Sequence, residues 1–224
     1  MTTVEVRPAP PSTSVDWGRL VVVPLFSLLL VANIQAMAAA WFSGPGGAAG
    51  VLSLLASGAT LMFLGLVIVA YVRREPATAT TTSWGERLVS ASATFLPFFV
   101  MPLLGAGGGA GDNLASLLLI ATGMFGAGWA VNSLGRNLSV FPQARRLADG
   151  GPYRWVRHPL YTAELVALTG VCLHSGQVAS LLLVPVMAAL QTYRAVAEER
   201  LLLCWLPDYL DYRRRTKILI PGVW

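Results

Sequence analysis

The sequence predicts an all-α integral membrane protein with about six transmembrane helices, five being the alternative count. Three observations lead there. Long apolar runs recur along the chain; charged residues make up 12% of it against 55% hydrophobic ones; and the basic residues keep to the tails, to alternate connections and to the helix ends that meet them. Soluble domains carry about 25% charged residues, so this composition suits a solvent less polar than water.

A spanning helix needs about 20 mostly apolar residues to cross ~30 Å of hydrocarbon. Taken in chain order, 20–41 and 51–72 qualify. Segment 88–104 is shorter and carries Pro97 and Pro102, which are expected to kink it while neighbouring helices cover the freed carbonyls. Segment 114–134 qualifies again. Segment 160–173 is too short alone; counted from 159 to 176 it makes a marginal span, or else it forms a re-entrant hairpin with the helix after it. Segment 178–196 is the last.

The charges test this order. Connections 42–50, 105–113 and 174–177 contain no Lys or Arg, whereas all 16 basic residues fall in the tails, in 73–87 and 136–158, or at the adjoining helix ends. That segregation is the positive-inside pattern, and it places both termini in the cytoplasm. The net charge of +5 therefore reads as membrane anchoring, not as a nucleic-acid footprint. The first 18 residues are polar and Pro-rich and are expected to form a disordered tail, with no secretory signal peptide. The chain divides into that tail (1–18), the N-terminal transmembrane helices (19–113) and a C-terminal region, 114–224, that carries the chemistry within one membrane domain. Gly-rich 105–113 reads as an outer spacer and TATTTS, 78–83, as a polar connector.

Candidate chemistry gathers on the cytoplasmic side. Segment 133–164 brings together the turn formers Gly150, Gly151 and Pro152, the aromatics Tyr153, Trp155 and Tyr161, and the basic Arg154, Arg157 and His158. Pro159 marks a helix start, so free N–H groups and the positive dipole end face whatever lies beside Arg157 and His158, as in an anion site. Arginines at such a boundary are also ordinary topology anchors. After the last span, Arg194 and Glu198 stand four apart and can pair along one helix face, which leaves Glu199 to point elsewhere, free to meet a ligand; a solvated, salt-bridged helix end is the plainer account. Gly123, Gly126 and Gly128 let another helix approach closely, or make room for a ligand group. His158 and His174 are expected on opposite sides, and Cys172 and Cys204 near opposite faces, so neither a metal site nor a disulfide is expected.

The combination GPYRWVRHPLYTA, then EER, PDYLDYRRR and LIPG, resembles the isoprenylcysteine carboxyl methyltransferases and their bacterial relatives, a group also similar to the phospholipid N-methyltransferases. The resemblance covers roughly 126–224. It implies a membrane methyltransferase whose cofactor, S-adenosyl-L-methionine, occupies a cytoplasm-facing pocket made by the C-terminal helices. By similarity, Tyr153, Arg157, His158, Pro159 and Tyr161 would line the cofactor site, Glu198 and Glu199 match the family's paired glutamates, and Gly126 and Gly128 match the small-residue motif of the phospholipid enzymes. Leu147, Gly151 and Pro152 belong to the same implied cofactor site, and Arg154 or Arg157 would orient the acceptor. The chain departs from the family at Ala163, where Gly is common, and at Leu147–Asp149.

The resemblance implies methyl transfer to a lipophilic or small acceptor at the bacterial inner membrane, if the source is prokaryotic. The expected acceptor is a carboxylate of an isoprenoid or prenylcysteine-like compound; the expected partners are the bilayer and that acceptor, with no nucleic acid and no metal. Two other readings stand beside it. Membrane sterol and steroid reductases, which use NADPH, carry a related pattern, and Glu164 leans their way. A transporter or scaffold without enzymatic activity is the third.

Overall fold

The computed structural model describes residues 6–8, 16–43, 47–104 and 113–219. The Gly-rich outer connection, with Asp112, and all but the first residue of the LIPG stretch lie outside the described residues, as does most of the N-terminal tail. Among the described residues seven helices carry the fold: α1 (Trp17–Ser43), α2 (Gly47–Arg73), α3 (Trp84–Leu104), α4 (Leu114–Leu134), α5 (Pro159–His174), α6 (Leu183–Trp205) and α7 (Tyr209–Arg215). Five described segments are long and apolar enough to cross a membrane: those of α1 to α4, and Val178–Trp205, which joins a short 3-10 turn to α6.

The doubtful sixth span is α5. Its sixteen residues make a rod of about 24 Å at ~1.5 Å per residue, short of the ~30 Å hydrocarbon core. It lies against α4, not as a hairpin partner of α6 alone. Glycines explain the closeness. A β-carbon at Gly123 would fall 2.4 Å from the Ala167 backbone nitrogen, and one at Gly170 would fall 2.7 Å from the Ser116 carbonyl oxygen. With hydrogens in those places the two backbones touch, which is how helices gain dispersion energy where there is no hydrophobic drive to associate. On its other flank α4 meets α2, while α1 packs on α2 and α3 on α6. The buried core between them includes Phe26, Phe63, Val67, Val131, Tyr153 and Tyr161.

Local signals set the ends. Asn113 accepts from the Ala115 amide at 3.1 Å to cap α4, which stops at Gly135 with φ +53°. Helix α3 starts four residues before the apolar run does. Ser83 accepts from the Glu86 amide at 3.4 Å, and the Glu86 carboxylate takes the Thr81 hydroxyl, a capping arrangement of the Ser-x-x-Glu kind. The helix then runs unbroken through Pro97 and Pro102.

The polar connector is also more ordered than expected. Ala79–Thr81 forms β2, the central strand of a small antiparallel sheet with β1 (Val6–Pro8) and β3 (Gln143–Ala144). Ala79 and Thr81 are buried on one face of it. Part of the tail assigned to disorder therefore pairs its backbone with this strand. Basic residues pin the same end of the bundle. Arg74 donates to Asp16 (Nε–Oδ2 2.6 Å) and Arg19 to the Tyr71 and Arg74 carbonyls, and Arg136 pairs with Glu75 at 3.2 Å. Burial pushes the Asp16 carboxyl up, but the Arg74 contacts outweigh it and hold it below its ordinary value.

Gly123→Ala is expected to cost about 1–3 kcal/mol through overpacking against backbone. Gly65→Ala, where nothing lies within 4 Å, should be neutral or stabilising by up to ~1 kcal/mol. Thermal unfolding of both variants in the same detergent separates the two.

Candidate functional site

The segment after α4 is built to turn sharply and return. Gly151 takes φ +57°, and a β-carbon there would strike Ser133 Oγ at 2.3 Å, so the 3-10 turn Gly151–Arg154 sits tight against the end of α4. Trp155 leaves the turn edge-on to Trp129, with centroids 5.8 Å apart. Val156 then bridges to Lys217, with the Arg157 amide on the Lys217 carbonyl (2.8 Å) and the His158 amide on Ile218 (3.0 Å). The Thr162 hydroxyl donates to the Leu219 carbonyl at 2.9 Å. The C-terminal segment 216–219 is thus stitched to the start of α5, where Pro159 sacrifices no needed N–H.

Two glutamates of α6 organise the charges. Glu198 accepts from the Tyr161 phenol at 2.6 Å, and Arg194 lies 3.4 Å away on the same helix face. Its other oxygen faces His158 Nδ1 at 3.9 Å. Glu199 turns to the opposite side, where Arg157 Nε binds it at 2.6 Å, His158 Nε2 stands at 3.4 Å and Arg213 at 3.5 Å. The His158 ring stacks on Tyr161 with centroids 5.1 Å apart, and the Arg194 guanidinium lies 4.7 Å from the Tyr161 centroid. Arg194 also donates to the Ser139 carbonyl at 2.8 Å and to Thr94 at 3.2 Å. Its buried charge is therefore held by α3, α6 and the 138–141 segment together.

Around this cluster runs a cleft between the 134–148 segment and helices α5, α6 and α7. Its volume, about 100 Å³, is below the ~300–1,000 Å³ usual for small-molecule sites, so a ligand larger than a few waters must displace one wall. Four arginines (145, 146, 157 and 194) line it against one carboxylate, Glu198. Two polar atoms on its walls, Arg145 Nη1 and the Tyr209 hydroxyl, are buried with neither a hydrogen-bond nor an ion-pair partner among the described residues. Such atoms are costly unless something meets them. Burial, then repulsion from Arg74, pulls the Arg145 guanidinium down to about 10, which leaves it charged near pH 7. Burial, reinforced by the Glu198 charge, pushes the Tyr153 phenol well up. Burial raises Tyr209 and Tyr212 as well, with Arg157 opposing it in both.

The sequence-based candidates distribute unevenly. Leu147, Tyr153, Arg157, His158, Tyr161 and Glu198 line the cleft. Gly151, Pro152 and Pro159 shape the turn and the helix start without lining it. Glu199, expected to be free for a ligand, is instead buried and occupied by three basic side chains. Arg154 is exposed and lies over the Trp155 ring at 4.1 Å, outside the cleft. Gly126 and Gly128 face neighbouring helices: β-carbons there would meet Ala163 Cβ at 3.3 Å and Met62 Cε at 2.6 Å. Ala163 fills the space that Gly126 leaves. Sequence reasoning missed Arg145, Arg194, Tyr209 and Tyr212 as cleft residues. Arg194 was detectable, because a cation inside an apolar span rarely lacks a purpose. The described residues hold no group of three or more metal-ligating side chains.

Comparison with known proteins bears on the same region. Residues 112–204 match the family model of the phospholipid methyltransferases, a family of membrane methyltransferases. The cobalt-zinc-cadmium resistance protein CzcN of Cupriavidus metallidurans is 32% identical over 112 residues, covering 47% of this chain and 50% of that protein. The match thus spans about half the length of this curated relative.

Alkaline titration tests the cleft. A phenol raised above its ordinary pKa of 10.0 keeps its proton longer in the folded state. Its contribution to stability is then complete below pH 10 and is lost as pH rises through the folded value. Absorbance of the folded protein should accordingly show the phenols of Tyr153, Tyr209 and Tyr212 silent beyond pH 10, with melting temperature falling as pH climbs further.

Proposed function

We propose that the chain is an S-adenosylmethionine-dependent methyltransferase acting at the cytoplasmic face of the membrane on a lipophilic acceptor, most readily a carboxylate. The region 114–224 is its catalytic part, and both termini lie on the cytoplasmic side. The observation that carries this reading is Glu198: one carboxylate among Arg194, Tyr161 and His158, on the wall of a cleft that otherwise presents arginines. That donor set suits an amino-acid cofactor carrying both an ammonium and a carboxylate. The match of 112–204 to the phospholipid methyltransferases supports it independently.

The cofactor supplies an electrophilic methyl group on a sulfonium. Glu198 would hold the ammonium or the ribose hydroxyls, and Arg145 with Arg157 the carboxylate, using the otherwise unpartnered Arg145 Nη1. Tyr153 and Leu147 offer apolar faces to the adenine. The surrounding side chains keep water out, so transfer depends on alignment more than on acid–base help. A carboxylate acceptor is already ionised near neutral pH. The cleft's arginine excess attracts such an anion and repels a protonated amine, which favours carboxyl transfer over amine transfer.

Isothermal titration of the detergent-purified protein with S-adenosylhomocysteine should show binding that Glu198→Gln weakens at least ~10-fold, about 1.4 kcal/mol. Arg154→Ala should change it by less than ~2-fold, since that residue lies outside the cleft. Binding of NADPH in place of S-adenosylhomocysteine would move the protein to the reductases, and binding of neither would leave no enzymatic reading. In transfer assays with a labelled methyl group, the product should release its label in base, as an ester does; a base-stable product would identify an amine or thiol acceptor. Ligand binding should also slow amide exchange across 138–148, the wall that has to move.

A further inference from the structure

A second cavity lies back to back with the cleft, on the other side of Glu199. It encloses about 540 Å³ between the last turns of α6, helix α7 and the segment 216–218, within the ~300–1,000 Å³ range of binding sites. Its lining is strongly basic. Arg157, Arg200, Arg213, Arg214, Arg215 and Lys217 line it against a single carboxylate, Glu199. Arg157 and Arg213 already share that carboxylate. Arg214 reaches only the exposed Asp211, at 3.6 Å, a contact worth little. Arg200 and Lys217 have no carboxylate partner among the described residues. Val196, Leu203 and Ile218 add apolar surface to the same lining.

The position of these residues identifies the ligand. Val196 and Leu203 belong to the apolar span Val178–Trp205, whereas Arg213 to Lys217 come after it. The cavity therefore draws its lining from the end of the apolar span, where Glu199 and Arg200 already stand, and from the charged chain that follows it. We propose that it binds an anionic phospholipid, with the phosphate among Arg200, Arg213, Arg215 and Lys217 and an acyl chain along Val196 and Leu203. A soluble phosphate would use the basic side chains and leave the apolar ones wet. A phospholipid uses both, and its headgroup charge matches the unpaired excess. The proposal stands on the cavity alone and does not depend on the reaction carried out next door. Arg157 belongs to the lining of both cavities.

Native mass spectrometry of the delipidated full-length protein in detergent tests this. Dioleoylphosphatidylglycerol should be retained at least ~10-fold more tightly than dioleoylphosphatidylcholine, each basic side chain near the phosphate contributing about fivefold. Arg200→Gln, an exposed residue whose loss leaves the fold intact, should weaken the preference roughly fivefold, and Arg213→Gln/Arg215→Gln should weaken it further than that. Arg73→Gln, exposed at the end of α2, should leave it unchanged. Equal retention of the two lipids, or a preference that Arg200→Gln leaves undiminished, overturns the proposal. So does inorganic phosphate that displaces phosphatidylglycerol at comparable concentration, which would make the ligand a soluble anion.

Discussion

The ion pair between Arg157 and Glu199 closes this structure at its polar end. Both side chains are about nine-tenths buried, and each comes from a different part of the chain: the return segment before α5, and the last turns of α6. Arg157 also donates to the carbonyls of Arg213 and Thr216, so a third part, the C-terminal segment, is held by the same guanidinium. Removing one partner from a pair this buried typically costs about 3–5 kcal/mol, because the other charge is left without compensation. The Val156–Lys217 bridge and the Thr162 bond to Leu219 lie on either side of it and gain their geometry from it.

The rest of this end depends on bringing three segments to one point. Once Glu199 neutralises Arg157, Glu198 is turned by the helical step toward the other face, where Arg194 and Tyr161 meet it. The same step divides the polar space in two, a narrow cleft on the Glu198 side and a broad basic cavity on the Glu199 side. Near-contact of α4 and α5 at Gly123 and Gly170 supplies the rigid floor. Without it the stacked His158 and Tyr161 rings would have no fixed height relative to α6.

Much of this was legible in the sequence, and the exceptions are physical. Apolar runs located the five long spans, since nothing but membrane burial accounts for them. The beginning of α3 was hidden because the apolar run starts after the helix does; the signal was the Ser83–Glu86 spacing. The two adjacent glutamates could be read as pointing to different faces, but not which face would be occupied: that depends on Arg157, forty-two positions away. Likewise, nothing local distinguishes Arg154 from Arg157, though one lies on an indole at the surface and the other is largely buried against Glu199. Gly128 resembles a cofactor contact by motif alone, and that Met62 of α2 packs against it is a matter of tertiary structure. The short strand Ala79–Thr81 has no pattern of its own and owes its form to the neighbours that pair with it.

Helix α6 does not end at its glutamates. From Glu198 to Trp205 it climbs about 10 Å further at ~1.5 Å per residue, through leucines at 201, 202 and 203. The polar cluster therefore lies about two helical turns short of the end of α6, with apolar side chains beyond it. On the function proposed above, an acceptor with a long hydrocarbon tail would reach this level from within its leaflet, whereas a water-soluble one would have to descend to it.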